Sequence, residues 1–294
     1  MNTADIRLVR YPDPAAFLTA AGAFLLSAEP ENNLILGIAR ELADRGPATE
    51  SPAYFAAVFR GDRVEGCAFS SVPDLLGITG MGGDEVIDAL ASDAGSVCRE
   101  VTSVGGPEPA VAPFAARFAA SVGRQAVLGM RQRIHELRAV TAPARPAPGH
   151  LRPARESEIA VLTPWVGDML ALIGDSRVAA DLAGERIRAG NLFLWEDGAP
   201  VSMAGWTGKT PNGVRVYFVY TPVALRGRGY ATAAVAALSQ HLLDQGNRYC
   251  CLYTDLANPT SNAIYHRIGY RPIRDAALYR ISAPASSPPP GEAK

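Results

Sequence analysis

The stretch with the most structural information is residues 214–232, which read VRVYFVYTPVALRGRGYAT. Residues 214–220 are almost all β-branched or aromatic and predict a β-strand. Pro222 ends this strand, because proline cannot donate to a strand ladder. Residues 227–245 predict a long helix, because apolar side chains recur there with helical spacing. These side chains are Ala231, Val235, Leu238 and Leu242.

The turn between this strand and this helix is rich in glycine and arginine, Arg226-Gly227-Arg228-Gly229. The first turn of a helix has unpaired N–H groups and a partial positive charge. Glycine lets an anion approach the backbone, and arginine adds charge and forked donors. The pattern therefore favours a phosphate or pyrophosphate. A solvated turn and a fragment of an RNA-binding tract are the alternatives, whereas a Walker loop would need a Lys-Ser/Thr end that is missing here.

A second motif follows a predicted strand at residues 249–255. Residues 255–270 read DLANPTSNAIYHRIGY and predict a short helix over residues 260–267. From its spacing alone, Tyr265 would be a helix tyrosine that packs into the core. Asn258 lies seven positions before it, and Gly269 and Tyr270 follow.

Together the two motifs resemble the catalytic half of the GNAT superfamily of acyl-CoA-dependent N-acyltransferases. The first motif is similar to the family's R/Q-x-x-G-x-G/A loop, and the second to its N-x-x-A-x-x-L-Y-x-x-x-G-F pattern. The departures are Ala for the last Gly, Ser for Ala, Ile for Leu and Tyr for Phe. The matching residues are Arg226, Gly229 and Ala231 in the first motif, and Asn258, Ser261, Ile264, Tyr265, Gly269 and Tyr270 in the second.

The resemblance implies an α/β (α+β) fold, with a mixed, mostly antiparallel sheet flanked by helices. Two central strands, residues 214–220 and 249–255, would splay apart and hold acetyl-CoA between them. Backbone groups at the end of the first strand would pair with the pantetheine arm, the N–H groups of the turn would hold the pyrophosphate, and Tyr265 would protonate the leaving thiolate. The residues implied to bind acetyl-CoA are Val219, Tyr220, Thr221, Arg226, Gly227, Arg228, Gly229, Tyr230, Ala231, Thr232 and Asn258.

The implied activity is transfer of an acetyl group from acetyl-CoA, a cosubstrate, to an amine in a ternary complex. A CoA-binding sensor or pseudoenzyme without turnover is the alternative, because no general base stands out. Glu196 and Asp197 fit a hairpin turn, Asp255 fits a turn cap, and Tyr217 and a water chain remain open. The acceptor stays open among small amines, aminoglycosides, polyamines and protein N-termini.

Composition narrows the class of protein. The chain has 294 residues, 28 Lys plus Arg against 29 Asp plus Glu, and a net charge of −1, so we expect no nucleic-acid or anionic-membrane partner. The four cysteines form no C-x-x-C pair, and we expect neither a disulfide framework nor a metal site. The start lacks a signal-peptide pattern and no run has the ~18 apolar residues of a membrane span. The sequence therefore predicts a cytoplasmic monomer or homodimer.

The chain divides at the proline-rich segment 141–149, TAPARPAPG, which predicts a linker. Residues 1–140 and 150–282 both follow the order helix–helix, hairpin, strand–turn–helix and strand, which predicts two tandem copies of one fold. Residues 283–294 predict a disordered tail. At the position expected for its phosphate loop, the first copy reads VGGPEP (residues 104–109), without arginine and with two prolines. We therefore expect a degenerate first domain that packs on the second and helps to shape the acceptor site.

Overall fold

The structure is a computed structural model that describes residues 6–46, 53–72, 74–173 and 177–283. Of the predicted tail at residues 283–294, all but Ala283 lies outside the described residues. The helices are α1 (Pro14–Ser27), α2 (Asn33–Arg45), α3 (Asp84–Val97), α4 (Val111–Ser121), α5 (Ile159–Ile173), α6 (Ala179–Arg188), α7 (Tyr230–Asp244) and α8 (Pro259–Arg267). The strands are β1 (Ile6–Arg10), β2 (Tyr54–Arg60), β3 (Arg63–Val72), β4 (Leu75–Ile78), β5 (Ser103–Pro107), β6 (Gln125–Leu137), β7 (His150–Pro153), β8 (Leu192–Glu196), β9 (Pro200–Thr207), β10 (Gly213–Tyr220), β11 (Tyr249–Asp255) and β12 (Arg271–Ser282).

The chain forms two compact units. Unit 1 contains Met1–Phe24, Gly46–Arg131 and Ala276–Lys294. Unit 2 contains Leu25–Arg45 and Gln132–Asp275.

In unit 1 the strands follow the order β1-β2-β3-β4-β5-β12. The strands β1 to β4 pair antiparallel, β4 and β5 pair parallel, and β5 pairs antiparallel with the last part of β12. Three rings in contact, Phe17, Phe55 and Phe69, lie on one face of this sheet, the first pair tilted and the second stacked. The apolar sides of α3 and α4 cover the other face, around Leu90 and Phe114.

In unit 2 the order is β7-β8-β9-β10-β11-β6. The strands β7 to β10 pair antiparallel, β10 and β11 pair parallel, and β11 pairs antiparallel with residues 132–137 of β6. The helix α7 packs on one face through Val235, Leu238 and Leu242, three of the four residues predicted for its apolar stripe. Leu162 of α5 and Leu182 of α6 pack on the other face.

The two units thus repeat one strand order with the same directions, and the predicted fold class is confirmed. The sequence did not predict an exchange at the last strand. In each unit the sixth strand follows the fourth helix of the other half of the chain, so β6 completes unit 2 and β12 completes unit 1. The sequence predicts a pair of strands over residues 270–281, and the structure has the one long strand β12 there instead.

The units also differ from the predicted boundaries 1–140, 141–149 and 150–282. Leu25–Arg45 from the first half belongs to unit 2, where the Glu29 carboxylate accepts hydrogen bonds from the backbone N–H and side-chain amide of Asn212 (2.8 and 2.7 Å). The proline-rich segment has no helix or strand, as predicted, but it is tied to unit 2. Its Thr141 N–H donates to the Ile268 carbonyl (2.8 Å), and its Pro148 carbonyl accepts from Trp195 Nε1 (2.8 Å).

The position expected for a phosphate loop in the first copy was wrong. Residues 104–109 lie in strand β5 (Ser103–Pro107) and in the turn before α4, which corresponds to the turn before α8 and not to the turn before α7. The sequence analysis missed the four-residue strand β4. It therefore compared the turn after β5 with the turn after β10, although β4 is the strand that corresponds to β10. The turn before α3, which corresponds to the turn before α7, reads Gly80-Met81-Gly82-Gly83. Asp84 and Glu85 follow it in the first turn of α3, and their negative charge disfavours an anion there.

The structure also bears on a membrane location. Among the described residues, no helix combines the length and the apolar character needed to cross a bilayer.

Burial of the α7 stripe gives a test of the packing in unit 2. We expect Leu238→Ala to lower the free energy of unfolding by about 2–5 kcal/mol, because Leu238 is 0% exposed and its removal leaves a cavity. Urea denaturation followed by circular dichroism would measure the change. Val161→Ala is the control, because Val161 is 49% exposed on α5 and its change should fall within about 0.5 kcal/mol. Equal effects of the two substitutions would contradict this packing.

Candidate functional site

The central feature of unit 2 is the parting of β10 and β11. The two strands pair only over three positions, from Gly213 opposite Tyr249 to Arg215 opposite Cys251. Beyond these positions β10 continues to pair with β9, and β11 continues to pair with β6 as far as Asp255 opposite Gln132. The facing edges of the two strands therefore have backbone groups without a strand partner, and such groups can pair with an extended ligand.

A bulge in β10 accompanies this parting. The register with β9 shifts between Tyr217 and Tyr220, and Phe218 has a φ of 56°. This left-handed conformation is strained for a residue with a bulky side chain. As a result Tyr217 and Phe218 both pack on the α5–α6 side of the sheet, whereas Val219 packs on the α7 side. Bulges of this kind re-aim side chains and are frequent beside active sites.

Polar contacts fix the end of β10. The Tyr220 hydroxyl donates to Asp168 Oδ2 on α5, and this hydrogen bond together with burial raises the pKa of the phenol. The Tyr220 carbonyl accepts from Ser202 Oγ (3.0 Å), which also lies 2.8 Å from the hydroxyl of Thr221. Two of the predicted residues, Tyr220 and Thr221, are thus held by polar contacts, and Val219 precedes them in β10.

The glycines of the turn before α7 are both left-handed. Gly227 has a φ of 79° and Gly229 a φ of 85°, values that favour glycine. A Cβ on Gly227 would meet nothing within 4 Å, and one on Gly229 would meet only Ala147 Cβ at 3.6 Å. Conformation rather than lack of space therefore selects glycine here, and the open space leaves the backbone accessible.

The amino terminus of α7 is uncapped. Gly229 is its N-cap residue and offers no side-chain hydrogen bond. The first hydrogen bond of the helix runs from the Ala233 N–H to the Gly229 carbonyl (3.0 Å). The N–H groups of Tyr230, Ala231 and Thr232 therefore have no acceptor within the helix. This end of a 15-residue helix is suited to an anion.

The two arginines of the turn are placed differently. Arg226 Nε donates to the Thr221 carbonyl (3.0 Å), and its Cζ lies 5.8 Å from the Tyr220 ring centroid. The guanidinium therefore braces the turn against the strand end. Arg228 is exposed, donates weakly to the Ala224 carbonyl (3.4 Å) and also interacts with the Tyr230 hydroxyl, so its charge lies at the helix terminus.

Asn258 has a capping role that the sequence analysis did not assign. It is the N-cap residue of α8, and its Oδ1 accepts from the Ser261 N–H (3.1 Å). This contact satisfies one of the free donors of the helix and fixes where α8 begins. Asn258 follows the end of β11 by three residues, and α8 in turn positions Tyr265.

Tyr265 is half-buried and packs on the α7 side of the sheet. Its ring stands edge-on to that of Tyr270, with 5.9 Å between centroids, and both Tyr265 and Val219 contact the same apolar cluster. Burial raises the pKa of its phenol to about 12. Among the described residues nothing hydrogen-bonds its hydroxyl, so the phenol stays protonated with a free donor.

The three carboxylates considered for the general base all have other partners. Glu196 pairs with Arg152, Asp197 accepts from the hydroxyl of Tyr230 (2.7 Å), and Asp255 Oδ1 accepts from the Ala257 N–H (2.8 Å). The hairpin and turn-cap alternatives thus describe these three residues.

The sequence analysis missed Asp168, Ser202 and the conformation of Phe218. Asp168 is the carboxylate that contacts the end of β10, and it forms no ion pair within the part of the chain that the structure describes. No short-range signal could have linked it to Tyr220, which lies 52 residues away. A separate finding concerns metals and disulfides. No group of three or more metal-binding side chains occurs in the described ranges, and the four cysteines are free.

Comparison with known proteins supports this assignment of elements. Residues 194–280 match the family model described as FR47-like protein. A comparison with curated proteins gives no match.

Several solved structures are similar over nearly the whole chain. A tandem GNAT protein from the clavulanic acid biosynthesis pathway is 15% identical, with a TM-score of 0.59 over 96% of this chain and 100% of that one. A GCN5-related N-acetyltransferase from Sphaerobacter thermophilus is 15% identical, with a TM-score of 0.57 over 94% and 96% of the two chains. A Drosophila protein is 13% identical, with a TM-score of 0.67 over 95% and 98%.

These similarities extend over nearly the whole of each chain, and one of the three structures is a tandem GNAT protein. The repeated strand order agrees with the predicted repeat, and the two strands that part, β10 and β11, are those that the resemblance implied. The chain is therefore a tandem protein of the GNAT fold, built from two GNAT-like units.

Proposed function

We propose that this protein is an N-acyltransferase that moves an acetyl group from acetyl-CoA to an amine. The observation that carries the proposal is the combination of the open edge between β10 and β11 with the uncapped amino terminus of α7. An extended amide-bearing arm fits the first feature, and a diphosphate fits the second. Several of the similar solved structures are described as acetyltransferases.

The residues that would hold acetyl-CoA follow from these features. The backbone of Val219, Tyr220 and Thr221 would pair with the pantetheine arm, and the N–H groups from Gly227 to Thr232 would bind the pyrophosphate. Arg226 would keep the turn in place, and Arg228 would add positive charge beside the phosphates. Asn258 would act from the start of α8, next to the pantetheine.

The transfer itself would be direct. The ammonium of the acceptor first loses a proton, because only the neutral amine is nucleophilic. Its nitrogen attacks the thioester carbonyl, and a strand N–H at Val219 would stabilise the oxyanion. The C–S bond breaks, the nitrogen loses its second proton, and the thiolate takes up a proton to leave as CoA. Holding both reactants together supplies much of the rate.

Tyr265 would donate to the departing sulfur. With a pKa of about 12, its phenol is protonated throughout the neutral range and always presents a donor. It gives up its proton less readily than a free phenol of pKa about 10. Its contribution therefore begins as a hydrogen bond that strengthens while negative charge develops on sulfur.

The turn before α7 gives a test of acetyl-CoA binding. We expect Gly229→Ala to weaken binding about tenfold, because the side chain disfavours the left-handed backbone that aims the N–H groups. Isothermal titration with acetyl-CoA would measure this. Gly246→Ala is the matched control, because Gly246 lies just past the other end of α7, has a φ of 89° and has open space around it. If the unaltered protein does not bind acetyl-CoA at high micromolar concentration, the proposed function is wrong.

Tyr265 gives a test of turnover. We expect Tyr265→Phe to lower kcat about 100-fold, the scale of a lost proton donor, while the affinity for acetyl-CoA stays the same. Release of CoA thiol with a panel of amines would measure the rate. Unchanged kcat would remove Tyr265 from the mechanism, and tight acetyl-CoA binding without thiol release by any amine would indicate a binding protein.

The same residue predicts a pH dependence of stability. The folded-state pKa of Tyr265 lies above its unfolded value of about 10, so the unfolded state loses this proton first as the pH rises. Its contribution to stability is therefore fully present below about pH 10 and declines as the pH rises towards 12. Denaturation of the unaltered protein and of Tyr265→Phe at pH 8 and pH 11 should show a smaller alkaline loss for the variant. An equal loss would mean that the phenol is not buried.

A further inference from the structure

Two arginines flank the bulge of β10 on the α5–α6 side of the sheet. Arg186 of α6 lies with its Cζ 5.9 Å from the Phe218 ring centroid, and Arg215 of β10 lies with its Cζ 5.9 Å from the Tyr217 ring centroid. The two rings contact each other edge to face, with centroids 4.6 Å apart. Both cations thus stand beside the residues that immediately precede Val219.

Arg186 is largely buried, and no carboxylate pairs with it alone. Its side chain is only 11% exposed, and its Nε has no hydrogen-bond partner among the described residues. The one carboxylate near it is that of the adjacent Glu185, at 3.4 Å. Glu185 is also 3.3 Å from Arg45, so its charge is shared.

Arg215 also lacks a carboxylate partner. Its Nε is buried and has no partner in the part of the chain that the structure describes, where it also forms no ion pair. Its one hydrogen bond is long, from Nη1 to Asn33 Oδ1 at 3.5 Å. Glu29, on the segment that leads into α2, does not pair with Arg215, because its carboxylate accepts hydrogen bonds from Asn212.

Other arginines of unit 2 are satisfied. Arg152 is 12% exposed and pairs with both Glu158 and Glu196. Arg133 pairs with Asp275, and Arg274 pairs with Glu31 through two contacts. A half-buried guanidinium without such a partner is costly, because its lost hydration is not replaced. Two of them at one bulge make a positive site with unused donors.

We propose that Arg186 and Arg215 bind an anionic group, a carboxylate or a phosphate, carried by the acceptor amine. The inference rests on the proposed function and specifies its substrate class. Guanidinium groups favour carboxylate and phosphate oxygens, with which they form charge-assisted hydrogen bonds. An anion held beside Tyr217 and Phe218 leaves the amine of a short molecule within reach of the thioester at Val219. A purely cationic acceptor such as a polyamine would be repelled.

Matched acceptors that differ by one anionic group would test this proposal. The pairs are phenylalanine and phenethylamine, lysine and cadaverine, and O-phosphoethanolamine and ethanolamine. We expect kcat/KM for thiol release to be at least about tenfold higher for the anionic member of a pair. The first two pairs report on a carboxylate and the third on a phosphate. Equal kcat/KM within all three pairs would overturn the proposal.

Variants separate binding from a structural role. Arg186→Met and Arg215→Met should each lose about tenfold in kcat/KM for the anionic member and change kcat/KM much less for the member that lacks the anionic group. Arg188→Met is the control, because Arg188 is exposed on the same helix. An equal loss for both members of a pair would show that the arginine only stabilises the fold, and would overturn the proposal.

A binding measurement distinguishes this inference from the proposed function. In the presence of CoA, N-acetylphenylalanine should bind the unaltered protein at least about tenfold more tightly than N-acetylphenethylamine. Absence of thiol release with every amine would contradict the proposed function, and the titration would still decide on the anion site. Equal affinities for the two acetylated compounds would overturn the anion site even if thiol release occurs.

Discussion

The structure of unit 2 depends on one local conformation, the left-handed backbone of Phe218. A non-glycine residue in this region costs about 1–3 kcal/mol and persists only where its surroundings enforce it. Here the enforcement comes from burial of the ring among α5 and α6 and from its contact with Tyr217. This bulge accompanies the parting of β10 and β11, and Arg186 and Arg215 lie beside it. The proposed thioester position and the proposed anion site are therefore both next to this one conformation.

Unit 1 shows what the same topology becomes without this feature. Its parallel pair, β4 and β5, is registered over three positions, as β10 and β11 are, and the two strands are still close at the next position. A Cβ on Gly106 would lie 3.0 Å from the Ile78 carbonyl oxygen, which shows how closely the two strands approach. The turn before α3 has kept glycines but is followed by acidic residues rather than flanked by arginines. Unit 1 therefore has the packing of the fold but not the arginine-flanked turn.

Much of this could be predicted from local sequence. Hydrophobic spacing predicted α7, the alternating strands and the repeated element order, and Arg226 to Gly229 predicted the turn, because such features depend on neighbours in the chain. The partner of the last strand could not be predicted, since β-pairing depends on residues far apart in sequence. The bulge left no signal either, because Tyr-Phe-Val-Tyr is an ordinary strand sequence. Asn258 carries the pattern of its motif, but only the structure shows it capping α8.

The exchange of the last strands has a consequence for how the chain can be shortened. Residues 276–280 pair with β5, which lies more than 160 positions earlier, so the carboxyl-terminal strand belongs to the amino-terminal unit. A truncation after Asp275 would leave unit 2 with all six of its strands and would strip unit 1 of an edge. Division of the gene at the proline-rich segment would separate β6 from unit 2 and β12 from unit 1. Each fragment would then carry a strand that belongs to the sheet of the other.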